Sequence, residues 1–149
     1  MMKAIYVLFL GLIYISCLKD DGSNNNQTEA DIIKYIEAHN LEAEKSSSGL
    51  YYIIEVQGEG AKPNNNSNVT VSYKGYFLNG TIFDQSSSDG ITFNLSQVIP
   101  GWSEGITYFN EGGEGILLVP PHLGYGSNSH SGIPGGSVLI FDVKLLSVN

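Results

Sequence analysis

The residues best suited to carry chemistry are a set of aromatic and aliphatic side chains that includes one carboxylate and two phenols. The set is spread over residues 73–141 and comprises Tyr73, Phe83, Asp84, Phe93, Val98, Ile99, Trp102, Tyr125, Ile133 and Phe141. Such side chains can build an apolar cavity that offers a few hydrogen-bond donors and acceptors. The neighbouring histidines, His122 and His130, have no further ligands at coordinating spacing, so we expect no metal site. The set therefore favours noncovalent chemistry on an apolar group.

Five sequence blocks carry these residues in a fixed order. They read Val-Ser-Tyr-Lys-Gly-Tyr (71–76), Gly-Thr-Ile-Phe-Asp-Gln-Ser (80–86), Gln-Val-Ile-Pro-Gly-Trp-Ser-Glu-Gly (97–105), Val-Pro-Pro-His-Leu-Gly-Tyr-Gly (119–126) and Val-Leu-Ile-Phe-Asp-Val-Lys-Leu-Leu (138–146). In this order they closely resemble the FK506-binding-protein (FKBP) type of peptidyl-prolyl cis-trans isomerase. The resemblance covers roughly residues 49–147.

The resemblance implies a role for each member of the set. Trp102 would form the floor beneath a prolyl ring, and Asp84 at the rim would orient or polarise the site. The Tyr125 hydroxyl and the Ile99 backbone N–H would donate hydrogen bonds to substrate carbonyls. The remaining substrate contacts would come from Tyr73, Phe83, Phe93, Val98, Ile133, Phe141 and, at the rim, His130.

An apolar cage with few polar groups suits rotation about an X–Pro peptide bond. The cis and trans forms of such a bond differ by only about 0.5–1 kcal/mol, but the barrier between them is ~18–20 kcal/mol because resonance is lost on twisting. Lowering this barrier needs neither a nucleophile nor a metal. An apolar environment disfavours the charge-separated planar amide, and fixed donors favour the twisted one.

Three functional interpretations remain open from the sequence. The first is a prolyl isomerase that acts on proline-containing peptides or protein segments, for whose pocket FK506-class macrolides would compete. The second is a module that binds proline peptides without turnover, and the third is a structural or adhesive lipoprotein in which the domain is a scaffold. Each aromatic residue alone would fit a hydrophobic core, but Trp102 follows Pro100-Gly101 at a predicted helix start, where its ring can face a cavity. No cofactor is expected.

The charge balance argues against a nucleic-acid partner. The formal net charge is −8, with 15 acidic residues against seven lysines and no arginine, whereas nucleic-acid binding requires a basic surface. Glu111 and Glu114 precede the Tyr125 segment, so we expect acidic residues beside the proline to be disfavoured by repulsion. The alternative is that these two acids point away from the pocket and only solvate the surface.

Residues 1–16 are typical of a signal peptide, because Lys3 precedes an apolar run of about a dozen residues that is too short to span a bilayer. Cys17 is the only cysteine, and its place after Ser16 resembles a bacterial lipoprotein signal in which the cysteine is lipidated. Residues 17–27 are polar and predict a flexible tether. We expect a bacterial envelope protein that is lipid-anchored to the outer membrane. The Lys-Asp-Asp at 19–21 also resembles a surface-export signal of lipoproteins, which would place the domain on the outer surface of the cell.

Local patterns predict an α+β fold. A capping box at Thr28–Asp31 and isoleucines at helical spacing predict a helix near 29–39, within an N-terminal helical extension at 28–46. Its apolar stripe would dock on its own domain or, alternatively, form a dimer contact. The isomerase-like domain is expected at 47–149, with strands at 50–56, 69–73, 115–119 and 137–148, a short helix from Gly101 to Phe109, and a type I′ turn at Asn79-Gly80. The resemblance makes this an FKBP-like antiparallel sheet half-wrapped around one short helix.

Overall fold

The computed structural model of the protein describes residues 26–149. Its elements are α1 (Glu29–Ala38), β1 (Glu44–Lys45), β2 (Tyr51–Val56), β3 (Asn68–Tyr76), β4 (Ile82–Gln85), β5 (Ile91–Asn94), α2 (Pro100–Gly105), β6 (Glu114–Val119) and β7 (Leu139–Val148). Short 3-10 turns lie at Leu95–Gln97, Ile106–Tyr108 and Pro121–Leu123. The predicted signal peptide, Cys17 and most of the predicted tether lie outside the described residues. Neither α1 nor α2, the two α-helices within 26–149, has the length and apolar character needed to cross a membrane.

The seven strands form one antiparallel sheet in the order β1-β2-β6-β7-β3-β4, and β5 also pairs with β3. Successive side chains of a strand point to opposite faces, so each face has its own cluster of buried residues. Leu117 and Phe141 belong to the cluster that contains α2, whereas Leu118 and Ile140 belong to the cluster that contains α1. The predicted α+β class with an antiparallel sheet is therefore confirmed.

Two glycines let α2 lie against the sheet at close range. A Cβ on Gly101 would be 2.6 Å from Val119 Cγ1, and one on Gly105 would be 2.7 Å from Leu117 Cδ2. A larger residue at either position would force the contacting β6 side chain or the helix itself to move. This close approach fixes the position of Trp102, which lies between the two glycines on the same short helix.

The N-terminal helix α1 docks on the opposite face of the sheet. The Thr28 backbone N–H donates to the Asp31 carboxylate at 2.7 Å, so Asp31 serves where capping boxes usually have Glu or Gln. Ile32 is fully buried against Tyr51, Leu118, Val138 and Ile140. Docking on its own domain gives this ten-residue helix the stability that an isolated helix of its length would lack.

The turn between β3 and β4 differs from the prediction. A type I′ turn requires positive φ at both Asn79 and Gly80, but among residues 26–149 the non-glycine residues with positive φ are Asn40 and Ser131. The Gly80 N–H donates to the Phe77 carbonyl at 2.8 Å and Gly80 has φ +86°. The type I′ prediction was therefore wrong. The loop is one residue longer, and glycine takes the left-handed position that follows the turn.

Candidate functional site

A cavity of about 780 Å³ opens on the face of the sheet that carries α2. Its lining includes every pocket residue named from the sequence, together with two that were not singled out, Gln97 and Ser131. The full lining is Tyr73, Phe83, Asp84, Phe93, Gln97, Val98, Ile99, Trp102, Tyr125, His130, Ser131, Ile133 and Phe141. Residues up to 68 positions apart in the chain therefore meet in one open cavity.

Trp102 forms the buried base of this cavity. Its side chain is 5% exposed, and its ring centroid lies 5.0 Å from that of Tyr73, 5.2 Å from that of Phe141 and 5.3 Å from that of Phe93. The Tyr73 and Phe141 rings meet the indole edge-on, at 89° and 85°, which is a favoured geometry for aromatic pairs. Within the described part of the chain, the buried Nε1–H of Trp102 has no hydrogen-bond acceptor.

The cavity wall on β3, β4 and β7 depends on Gly75. This residue lies opposite Asp84 of β4 and Phe141 of β7. A Cβ on Gly75 would be 2.7 Å from Phe83 Cζ and 2.9 Å from Phe141 Cε1. Glycine thus leaves the space in which the two phenylalanine rings meet at 90° with centroids 5.6 Å apart.

Polar groups of the cavity centre on Asp84. The Tyr73 hydroxyl donates to Asp84 Oδ2 at 2.7 Å. Burial, followed by this hydrogen bond, raises the pKa of Tyr73 well above its ordinary value. Burial and then the negative charge of Asp84 also raise the pKa of Tyr125. Both phenols therefore remain protonated at neutral pH, so the Tyr125 hydroxyl, like that of Tyr73, is available as a hydrogen-bond donor.

The loop from Tyr125 to Ile133 closes the other side of the cavity. The His130 ring stacks on the Tyr125 ring with centroids 4.4 Å apart and an interplanar angle of 11°. His130 and Ile133 exchange two backbone hydrogen bonds, of 3.0 and 2.8 Å, across Ser131 and Gly132. Both central residues have positive φ, +45° and +84°, which is typical of a type I′ turn. The turn brings Ile133, which is buried, and Ser131 to the cavity.

Neither acid that was expected to influence the pocket by charge lies in it. The Glu111 carboxylate accepts a hydrogen bond from the Val148 N–H at 2.8 Å. The Glu114 carboxylate is 3.3 Å from the Lys144 ammonium, which lies directly opposite it on β7. The structure thus favours the alternative that these acids point away from the cavity, and it removes the reason for expecting them to select against acidic substrates.

Comparisons with known proteins agree with this geometry. A family model described as FKBP-type peptidyl-prolyl cis-trans isomerase matches residues 59–146. The FKBP-type peptidyl-prolyl cis-trans isomerase FkpA of Buchnera aphidicola subsp. Schizaphis graminum is 50% identical over 107 residues, which are 70% of this chain and 42% of that protein. FkpA of Escherichia coli K12 is 44% identical over 105 residues, 69% of this chain and 39% of that protein. This chain thus spans less than half the length of these curated relatives.

Two solved structures show the same fold. The crystal structure of FkpA from Escherichia coli matches with a TM-score of 0.74 and 40% identity, and the match covers 81% of this chain and 59% of that one. The peptidyl-prolyl cis-trans isomerase of Pseudomonas syringae pv. tomato matches with a TM-score of 0.71 and 26% identity, and the match covers 85% of this chain and 99% of that one.

Proposed function

Since this chain belongs to the FKBP-type peptidyl-prolyl cis-trans isomerase family, we propose that it accelerates X–Pro isomerisation in proline-containing peptides and protein segments. The supporting observation is the open cavity of about 780 Å³ that has Trp102 at its base and Asp84 and Tyr125 in its lining. A scaffold would be expected to fill this space with its own side chains. A module that only binds proline peptides stabilises no twisted amide, so it has less need of the hydrogen-bonded Tyr73–Asp84 pair.

The cavity lowers the barrier mainly through its apolar lining. A planar amide is charge-separated and is well solvated by water, so moving it among aromatic rings disfavours it relative to the twisted state. Trp102 supports the prolyl ring from below. The Phe83 and Phe141 rings, which meet at 90°, confine it on the side of the sheet.

Two donors complete the proposed site. The Tyr125 phenol, held protonated by its raised pKa, donates to one substrate carbonyl. The Ile99 N–H donates to another, since within the described residues it donates to no backbone carbonyl of the protein. Asp84, which accepts a hydrogen bond from the Tyr73 hydroxyl, orients or polarises the site from its rim. These donors are in place before the substrate arrives, so little reorganisation accompanies twisting.

The first test is a direct assay of residues 18–149. We expect the protein to accelerate cis-to-trans isomerisation of short Leu-Pro and Phe-Pro peptides, because the cavity brings together the aromatic residues around Trp102. An FK506-class macrolide should compete. Trp102 is the only tryptophan, so its fluorescence reports occupancy of the cavity independently of turnover. A folded protein whose fluorescence responds to the peptide without any rate enhancement would support the noncatalytic alternative.

We also propose that the protein is lipidated at Cys17 and anchored to the outer membrane of a bacterial envelope, on either its inner or its outer surface. The support is the sequence of residues 1–17, in which one lysine and an apolar run end at Ser16-Cys17. A lipid chain contributes ~0.8 kcal/mol of membrane affinity per buried CH₂ group, and a single chain gives only reversible membrane binding. More than one acyl chain is therefore needed for stable anchoring. The clients would then be exported or surface proteins.

Lipidation has a clear signature in protein isolated from its native host. Mass spectrometry should show an N-terminal diacyl- or triacyl-cysteine at residue 17, and Cys17→Ser should leave the protein unprocessed or soluble. A matched control is Ser16→Ala, which keeps a small residue before the cysteine and should be processed normally. The absence of acyl groups on Cys17 of the parent protein would refute the anchor.

A further inference from the structure

Gln27, just before α1, lies against the base of the loop that carries Tyr125 and Ile133. Its backbone N–H donates to the Gly136 carbonyl at 2.8 Å. Its side-chain Oε1 accepts a hydrogen bond from the Val138 N–H at 2.7 Å. Gln27 is thus joined by two hydrogen bonds to the end of the loop, immediately before β7 begins.

The same end of the loop is joined to the residue that follows Tyr125. The Gly136 N–H donates to the Gly126 carbonyl at 2.8 Å, and the Gly126 N–H donates to the Pro121 carbonyl, also at 2.8 Å. The two sides of the loop are in close contact here, since a Cβ on Gly135 would be 2.0 Å from the Ser127 carbonyl oxygen. A displacement of Gly136 therefore moves Gly126 and the backbone of Tyr125.

We propose that Gln27 is a positioning residue for the cavity, which acts by holding the loop base so that Tyr125 and Ile133 face Trp102. The rest of the cavity does not depend on it, because Trp102 is held by α2 and the phenylalanine wall by the sheet. The side chain of Val138 is fully buried, and its N–H would lose its acceptor if the Gln27 side chain were removed. A buried N–H without a partner is unfavourable, so the two sides of the loop base, at Gly126 and Gly136, would separate more often. The catalytic part of this inference rests on the proposed isomerase function.

The test compares Gln27→Ala, Gln27→Glu and Gln57→Ala in the full chain. Gln27→Glu keeps an oxygen that can accept from the Val138 N–H. Gln57 is a matched control because its side-chain amide also makes one hydrogen bond to a backbone group, from Nε2 to the Tyr108 carbonyl at 2.9 Å, and because it does not line the cavity.

Amide hydrogen exchange provides a readout that does not depend on catalysis. We expect exchange at Gly126, Gly136 and Val138 to be roughly fivefold faster in Gln27→Ala, the effect of losing one neutral hydrogen bond. It should be near the parent rate in Gln27→Glu and in Gln57→Ala. Unchanged exchange at these three amides in Gln27→Ala would overturn the proposal.

Steady-state isomerisation provides the second readout. Gln27→Ala should lower kcat/KM for an X–Pro peptide roughly three- to tenfold, through a higher KM and a lower kcat, because the loop carries the Tyr125 donor while the floor and sheet wall are intact. Gln27→Glu should restore kcat/KM. Equal losses of kcat/KM in Gln27→Ala and Gln57→Ala would instead indicate general destabilisation and contradict the positioning role. If the parent shows no catalysis but exchange changes as expected, the isomerase proposal fails and the loop-holding role of Gln27 stands.

Discussion

Replacing Trp102 with alanine is expected to lower the free energy of unfolding by about 3–5 kcal/mol. The indole is 5% exposed and packs against the rings of Tyr73, Phe93 and Phe141 at centroid distances of 5.0–5.3 Å. Its removal leaves a cavity beneath three aromatic partners. We also expect kcat/KM to fall about 100-fold, the loss associated with displacing a substrate by ~1 Å from its productive position.

Urea denaturation followed by far-UV circular dichroism measures the stability change, since the variant has no tryptophan for fluorescence. Trp102→Phe keeps an aromatic floor and should show a smaller loss of both stability and activity. Ile82→Ala provides a surface control, because Ile82 is 50% exposed and its truncation should cost roughly 0.5 kcal/mol or less. An alanine variant as stable as the parent would show that Trp102 does not support the aromatic walls.

Local patterns were sufficient to predict most elements of the fold. The alternation of Val69 and Val71 with polar residues predicted β3, whose two valines are fully buried. The capping residues Thr28 and Asp31 predicted where α1 begins. Local patterns could not supply the strand order, because β2 pairs with β6 and β3 with β7 across more than 50 residues of chain. The family resemblance predicted an antiparallel sheet half-wrapped around a short helix, and no strand order was predicted from it.

The residues that line the cavity were predictable because the family resemblance named them together. Trp102 and Phe141 are each 5% exposed, so as individual residues they fit a hydrophobic core as well as a cavity lining, and in the structure they serve as both. The position of Trp102 after Pro100-Gly101 and the order of the five sequence blocks together separate these alternatives. Gln97 and Ser131 also line the cavity but were not predicted. A single polar residue in a loop belongs to no apolar periodicity or motif that would mark it as part of a cavity.

Turn conformations were the least predictable feature. Asn79-Gly80 has the residue types that favour a type I′ turn, yet pairing of β3 with β4 includes a register shift after Gly75, and the loop is one residue longer. Positive φ at two adjacent central residues occurs instead at Ser131-Gly132, although serine rarely adopts it. The contacts of Gln27 with Gly136 and Val138 are similarly invisible in the sequence, since they span more than 100 residues.

Loss of either polar side chain at the rim should reduce catalysis and leave the fold intact. We expect Asp84→Leu and Tyr125→Phe each to lower kcat/KM roughly 5- to 30-fold, as a polar contact that contributes ~1–2 kcal/mol at the transition state implies. Asp84→Leu should have the larger effect, because it also leaves the Tyr73 hydroxyl without the acceptor that it has at 2.7 Å.

The parent rate should be constant between about pH 7 and 9, since burial and the Asp84 charge raise the pKa of Tyr125 above its ordinary value of ~10.

A second phenol–carboxylate pair, whose tyrosine also lies on β3 but whose aspartate lies on β7, allows a controlled comparison. The Tyr76 hydroxyl donates to Asp142 Oδ1 at 2.8 Å, on the face of the sheet that carries α1. Tyr76→Phe and Asp142→Leu therefore remove a hydrogen bond like that of Tyr73 and Asp84, but away from the cavity, and kcat/KM should remain within about twofold of the parent if only local contacts matter. If Asp84→Leu and Tyr125→Phe are both fully active, cavity shape alone lowers the barrier. If the Tyr76 and Asp142 variants lose as much activity as the cavity variants, the effect comes from the sheet that supports the cavity and not from its polar groups.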